Sequence, residues 1–258
     1  MSYQGGKQKL GKRIHSVISL VETDILEDEN RKLDYFEPFV GFCGVIKHFN
    51  DENRKCIAND INEDIIKMWK SLQNGWKPPK YCNKDEYEKL KKSKKHSAKK
   101  GFIGTACSYG GIYFVGYRSK QRFEHKTINS VSSARRSVLK IKDRIKNVKF
   151  LKPTSYDKFN PIKKLIYCDP PYVSNKYTQS EYFNFDSEKF WNTMRKWSAK
   201  NIVVISERNA PSDFKKIWGV DFSVTQHGKV NNQNECLFIH ETLFDILSND
   251  VKNIIKKI

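Results

Sequence analysis

Residues 165–172 read Leu-Ile-Tyr-Cys-Asp-Pro-Pro-Tyr. The apolar run Leu165–Cys168 predicts a buried strand, and the two prolines, with fixed φ and no N–H, end it. Asp169 then stands on a rigid corner at the strand's carboxyl end, where open α/β sheets bind ligands. Such a corner suits an exocyclic amine on an aromatic ring. The lone pair of that nitrogen is delocalised, so it is a poor nucleophile until two acceptors draw on its two hydrogens and favour a more tetrahedral geometry. The Asp169 carboxylate and the Pro170 carbonyl are placed to be those acceptors and to stabilise the charge that develops. Pro171 keeps the turn rigid, and Tyr172 offers a flat face for an unstacked base.

Apolar runs recur on both sides of this corner. Strands are expected at 35–40, 55–59, 148–152, 165–168, 202–206, 222–226 and 236–240, and helices at 8–21, 61–74 and 187–200. Several runs are near-continuously apolar, as central strands covered on both faces are. Asp60 and Asp186 stand where helix N-caps stand. The alternation predicts an α/β fold of the Rossmann type with a mixed, mostly parallel sheet. Residues 241–258 carry Phe244, Leu247, Val251, Ile254 and Ile258 at helical spacing, which predicts a closing helix packed on the core.

The chain has 258 residues, 38% of them hydrophobic, and a net charge of +19. Residues 76–147 hold 20 Lys and Arg against 5 Asp and Glu, so +15 of that charge sits in 72 residues. A basic segment this localised predicts a polyanion-binding surface, and nucleic acid is the commonest polyanion. Within it, Val131, Ala134, Val138, Ile141, Ile145 and Val148 mark one apolar helix face, opposite Arg135, Arg136, Lys140, Lys142 and Lys146. The six cysteines form no CxxC pair and no zinc-ligand spacing, so buried thiols are expected, with no metal. No apolar run approaches membrane-spanning length, and the N-terminus has no apolar signal core. These features predict an intracellular setting, either the cytoplasm or, for a virus- or phage-encoded protein, the host cell.

A DPPY tetrapeptide after an apolar strand resembles the catalytic signature of methyltransferases that act on adenine amino groups. Over nearly its whole length the chain resembles a Dam-type, D12-class (alpha group) DNA adenine N6-methyltransferase. That resemblance implies a Rossmann-like methyltransferase fold with a small inserted target-recognition domain. The catalytic domain would comprise 1–75 and 148–258, and the insert 76–147. It implies S-adenosylmethionine as cofactor. Residues 36–44, FEPFVGFCG, resemble the family's first cofactor motif through Glu37, Pro38, Phe39, Gly41 and Gly44. They depart from it at Cys43, where a glycine often sits. Asp60 follows Gly41 by 19 residues, the place of an acid that binds ribose hydroxyls, and Ile61 would pack against the cofactor's adenine. Tyr3, Gly5, Gly6 and Lys7 resemble the family's GGK segment, with Lys7 pairing the cofactor's carboxylate. Ser155 and Tyr156 match a further cofactor-contact position.

The resemblance also implies a recognition hairpin that includes Ser108, Tyr109, Gly110, Arg118, Lys120, Gln121 and Arg122. Arg118 and Arg122 suit guanine edges and Gln121 suits adenine, while Arg135 and Arg136 belong to the same DNA-binding segment. The expected activity is site-specific methyl transfer to N6 of a flipped adenine in double-stranded DNA, as in restriction–modification. Methylation of RNA adenine or of cytosine N4 remains as an alternative from the same chemistry. A nucleic-acid-binding protein without catalysis remains as one from another class.

Overall fold

The computed structural model describes residues 6–49, 53–118, 120–123, 126–171, 185–226 and 229–258. Seven strands form one sheet in the order β5-β2-β1-β6-β7-β9-β8. They are β1 (Asp34–Glu37), β2 (Cys56–Ala58), β5 (Lys149–Phe150), β6 (Lys164–Cys168), β7 (Ile202–Glu207), β8 (Phe214–Gln226) and β9 (Lys229–His240). β3 (Lys120–Phe123) and β4 (Lys126–Asn129) pair separately as an antiparallel hairpin. The chain divides into two compact units, one of 1–11 with 40–155 and one of 12–39 with 156–258.

In the second unit β1, β6 and β7 are parallel, and β9 runs antiparallel to both β7 and β8. The sheet is therefore mixed and mostly parallel, a Rossmann-like methyltransferase arrangement. The strand order reverses between β1 and β6, so the carboxyl ends of these two neighbours form the switch point at which such sheets bind ligands. All six residues of β7 are buried, as are Leu165–Cys168 of β6. Helix α1 (Gly11–Leu26) turns Ile14, Val17, Ile18 and Val21 inward, each fully buried. Helix α6 (Ser187–Ser198) is capped by the expected Asp186, whose carboxylate accepts from Lys189 N, and it buries Phe190, Trp191, Met194 and Trp197.

In the first unit β2 and β5 are parallel. Helix α2 (Glu63–Gln73) follows β2 and buries Ile65, Ile66, Met68, Trp69 and Leu72. Helices α3 (Lys84–Lys92), α4 (Ala98–Ala106) and α5 (Ser130–Lys142) surround the hairpin in sequence. The expected apolar face of α5 and its continuation is buried: Val131, Ala134, Val138, Ile141, Ile145 and Val148 are each at most 7% exposed.

Several boundaries differ from the sequence expectation. The first helix starts at Gly11 rather than at residue 8; residues 8–10 form a turn closed by the Gly11 N–H on Lys7 O (2.6 Å), and a Cβ at Gly11 would overlap Gly44 O. α2 is capped by Asn62, which accepts from Asp64 N (3.0 Å) and Ile65 N (3.4 Å), and Asp60 stays outside the helix. α3 arises in a Lys-rich stretch with few apolar anchors and α4 where that stretch runs into the Gly-rich apolar one, each begun by a side-chain cap, Asn83 and Ser97. β8 and β9 extend well beyond 222–226 and 236–240, because each supplies the other's backbone partners whatever the polarity of residues 229–235. The closing helix is broken into α7 (Glu241–Ile246) and α8 (Asn249–Ile255). Ser248 is held by Asp24 through its N–H and its hydroxyl, both at 2.7 Å, and starts a new helix by capping Val251 N. Leu247 and Ile255 are consequently buried, and Ile254 is 47% exposed instead of packing. All six cysteines are buried and none forms a disulfide.

Candidate functional site

The first unit carries a fully braced glycine turn after β1. Val40 N donates to Asn59 O (2.9 Å) and Cys43 N to Val40 O (2.8 Å). Gly41 N donates to Asp60 Oδ2 (2.9 Å), and Gly41 O receives the indole N–H of Trp69 (2.9 Å). Phe42 O receives the Gln8 amide (2.7 Å). Gly41 has φ +43, which its missing side chain permits. Cys43 has φ +53, which shows why a glycine suits that position: the turn demands a left-handed residue there. Gly44 is small for another reason. A Cβ on it would come within 3.0 Å of Lys7 N and 3.1 Å of Lys7 Cβ, so the N-terminal segment lies directly on the turn. Lys7 is 6% exposed, hence a packed part of this region, while Gly6 is exposed. Tyr3 and Gly5 lie outside the described residues.

Asp60 closes the turn from below. Its two carboxylate oxygens accept from Gly41 N and Asn62 N, each at 2.9 Å. Burial raises its pKa to about 6, against the opposing pull of those two N–H groups. A desolvated carboxylate beside a left-handed glycine turn suits a polar diol such as ribose. Asn59, which the sequence reading did not single out, has no exposed surface. Its side chain donates to Thr154 O (2.7 Å) and accepts from Thr154 N (3.2 Å), anchoring the segment that leads to Ser155. Its signal in the sequence is a polar amide at the inner end of a strand, next to Asp60. Ile61, by contrast, is 52% exposed.

The second unit carries the strand-end corner. Glu37, 2% exposed, ends β1 and receives the Tyr35 hydroxyl on Oε2 (3.2 Å). On the adjacent strand Cys168 precedes Asp169 and the buried Pro170, with Pro171 half-buried. The Cys168 thiol is pushed well up, first by burial and then by the negative charges of Glu37 and Asp169. Behind it the Tyr167 hydroxyl donates to Ser206 Oγ (2.9 Å), and Ser206 donates to the buried Glu235. Burial, and after it the charges of Asp169 and Glu235, raise the Tyr167 hydroxyl well above its usual range. These bonds pin β6, β7 and β9 together directly beneath the corner. Tyr172 lies outside the described residues.

Phe39 and Tyr156 also come together, with ring centroids 5.2 Å apart. Phe190 and Phe185 complete the aromatic group, at 6.0 and 6.3 Å from Phe39. Burial, and after it the charges of Asp157 and Asp186, push the Tyr156 hydroxyl up to about 12, so it stays protonated.

In the basic segment, Ser108 is 6% exposed and its hydroxyl is engaged by Tyr87 (2.8 Å) and Gly104 O (2.6 Å), which makes it a brace. Tyr109 is 51% exposed, and the Arg118 guanidinium stands 5.7 Å from its ring. Gly110 and Gly111 take φ +62 and +73, turning the chain sharply there. Lys120, Gln121 and Arg122 form the backbone of β3, opposite Asn129, Ile128 and Thr127. Arg135 Nε donates to Pro78 O (2.8 Å), and Arg136 is exposed. Lys91, Lys92, Lys94 and Lys95 are exposed, whereas Lys99 pairs with Glu86 and Lys100 is buried. Among the described residues no helix is long and apolar enough to cross a membrane. No group of three or more His, Cys, Asp or Glu among them could hold a metal ion.

A model of the family described as D12 class N6 adenine-specific DNA methyltransferase matches residues 3–229. The match spans the glycine turn, the basic segment and the Asp-Pro-Pro corner in one stretch. A search of curated proteins finds no match.

Proposed function

The chain belongs to the D12 class N6 adenine-specific DNA methyltransferases, and on that premise we propose that its methyl donor is S-adenosylmethionine and its substrate an adenine turned out of duplex DNA. The observation that carries this reading is the pair of strand ends at the reversal of the sheet order, Glu37-Pro38 and Asp169-Pro170. The donor's sulfonium makes its methyl group electrophilic, so the protein needs only to bind, orient and polarise.

Asp60, with the Gly41 turn, holds the donor's ribose, and Lys7 and Gly6 face its amino-acid end. Ser155 and the rings of Phe39 and Tyr156 contribute further contacts to the donor. Asp169 and the Pro170 carbonyl accept the two hydrogens of the adenine N6. With the donor bound, those two acceptors would turn the nitrogen's lone pair toward the donor's methyl group; the donor would supply that methyl as an electrophile and depart as the neutral thioether, and the proton lost from N6 would pass by way of Asp169 to water. Tyr172 stacks on the extruded base. The buried bonds among Tyr167, Ser206 and Glu235 stop the corner from relaxing, so its acceptors are preorganised.

Residues 76–147 are the recognition insert, and 1–75 with 148–258 the catalytic domain. Tyr109, Gly110 and Arg118, with Lys120, Gln121 and Arg122 of β3, address the target bases. Arg136 and the exposed lysines neutralise phosphates.

The test is transfer of a labelled methyl group from S-adenosylmethionine into duplex DNA, single-stranded DNA and RNA, followed by methylation-sensitive sequencing of the product. Transfer confined to adenine N6 in duplex DNA supports the reading, and preferential labelling of RNA overturns the substrate assignment. Asp169→Ala should abolish transfer, by at least about 1,000-fold, while leaving the circular dichroism spectrum and donor affinity intact. Wild-type turnover in that variant removes Asp169 from the mechanism.

A further inference from the structure

Asp64 lies on the first turn of α2, is 2% exposed, and is surrounded by donors from the basic segment. Its Oδ1 accepts from Ser97 N (2.7 Å). Its Oδ2 accepts from the Tyr113 hydroxyl (2.7 Å) and lies 3.1 Å from His96 Nδ1 and 3.9 Å from Lys100 Nζ. Ser97 caps α4, and Tyr113 stands on the strip that runs from the Gly110–Gly111 turn to Arg118 and β3. One buried carboxylate therefore ties the start of α4 and the approach to the hairpin to a single point.

The same point is tied to the glycine turn. Asp64 N donates to Asn62 Oδ1 (3.0 Å), Asn62 N donates to Asp60 Oδ1 (2.9 Å), and Asp60 Oδ2 accepts from Gly41 N (2.9 Å). Every link is a short-range hydrogen bond with little freedom. The packing around it is equally close. A Cβ on Gly101 would overlap the Asp64 carbonyl oxygen, and one on Gly104 would come within 2.5 Å of the Tyr113 ring. The two glycines let α4 lie against α2 and against Tyr113 with no side chain between.

We propose that Asp64 is a positioning residue for DNA recognition: it sets the place of the hairpin relative to the donor-binding turn through Asp60–Asn62–Asp64 on one side and Tyr113, Ser97 and His96 on the other. It touches neither substrate. This inference rests on the reading of 76–147 as the recognition insert. A displaced hairpin changes which base edges its side chains reach, so the loss falls on discrimination between DNA sequences, with donor binding spared.

The experiment uses the full-length enzyme, S-adenosylmethionine and duplexes carrying either the sequence found methylated or single base changes in it. Asp64→Asn removes the charge at constant size, and Tyr113→Phe removes one hydrogen bond at the hairpin side and leaves the buried carboxylate in place. Both should raise KM for the preferred duplex and cut its advantage over single-change duplexes by about tenfold or more, with unchanged S-adenosylmethionine affinity by calorimetry. Tyr113→Phe serves as the decisive variant should Asp64→Asn fail to fold. Unchanged discrimination in Tyr113→Phe, or a loss of donor affinity that accounts for the defect, overturns the proposal. In parallel, Lys91, Lys92, Lys94 and Lys95 are changed to Gln. If that leaves DNA affinity and its salt dependence untouched, the insert reading fails and takes this inference with it. If it weakens DNA binding while discrimination survives Tyr113→Phe, only the role of Asp64 is lost.

Discussion

Cys43 holds a backbone conformation, φ +53, that costs a non-glycine residue roughly 1–2 kcal/mol, yet it is fully buried and tightly bonded within the turn. A β-branched side chain tolerates that region still less. Cys43→Val should lower stability by about 1–2 kcal/mol, read as a reduced urea midpoint, while Cys43→Gly keeps donor affinity by calorimetry. Asp60 makes a pH prediction. Its carboxyl is raised to about 6 by burial, so its ionisation is unfavourable in the folded chain and the fold loses stability as pH rises through that value. Donor binding has the opposite dependence. The ionised carboxylate accepts ribose hydroxyls, so affinity for S-adenosylmethionine should weaken as pH falls below about 6, and Asp60→Asn should flatten that part of the profile. An identical profile in the two proteins would take Asp60 out of the donor site. The sequence marked Asp60 by its spacing from Gly41. It was silent on Asn59 and Asn62, because an amide side chain declares its role only when its two partners are in place.

At the scale of elements, α4 illustrates how a helix is placed by what it lacks. Gly101 and Gly104 weaken the isolated helix, by roughly 1 kcal/mol each relative to alanine, and they permit close approach to α2 and Tyr113. Gly101→Ala gains helix propensity and loses more through overlap with the Asp64 carbonyl, for a net cost of about 1–3 kcal/mol that thermal unfolding would register. A neutral or stabilising result would show that the two helices can separate without penalty. The apolar stripe of α5 was legible in the sequence because a 3.6-residue period needs no partner to be recognised. α3 and α4 were not, since their starts depend on the caps Asn83 and Ser97 and their packing on distant residues.

For the molecule as a whole, charge is the decisive quantity. Most of the +19 falls within 76–147, but not all of it is available to a polyanion. Lys99 is paired with Glu86 and Lys100 is buried, whereas Arg135 spends only its Nε on Pro78 O and keeps its charge. The exposed remainder includes Lys91, Lys92, Lys94, Lys95 and Arg136. DNA affinity should fall steeply with salt, and each phosphate contact removed by a Lys→Gln change should reduce the slope of log K against log salt by about 0.9. Changing Lys100 should instead lower stability. A slope indifferent to the exposed lysines would place the DNA surface elsewhere on the chain.

The sequence by itself determined the class of chemistry and the class of fold. The Asp-Pro-Pro-Tyr corner, the glycine turn and the alternating apolar runs are local patterns whose meaning follows from bond geometry and side-chain periodicity. Tertiary structure alone decided which polar groups brace those patterns. That Lys7 lies on Gly44, that Ser108 is a brace, and that Ser248 breaks the closing helix on Asp24 all depend on partners 37, 21 and 224 positions away. A hydrogen bond or a close approach between such distant residues leaves no period and no spacing for a sequence to display.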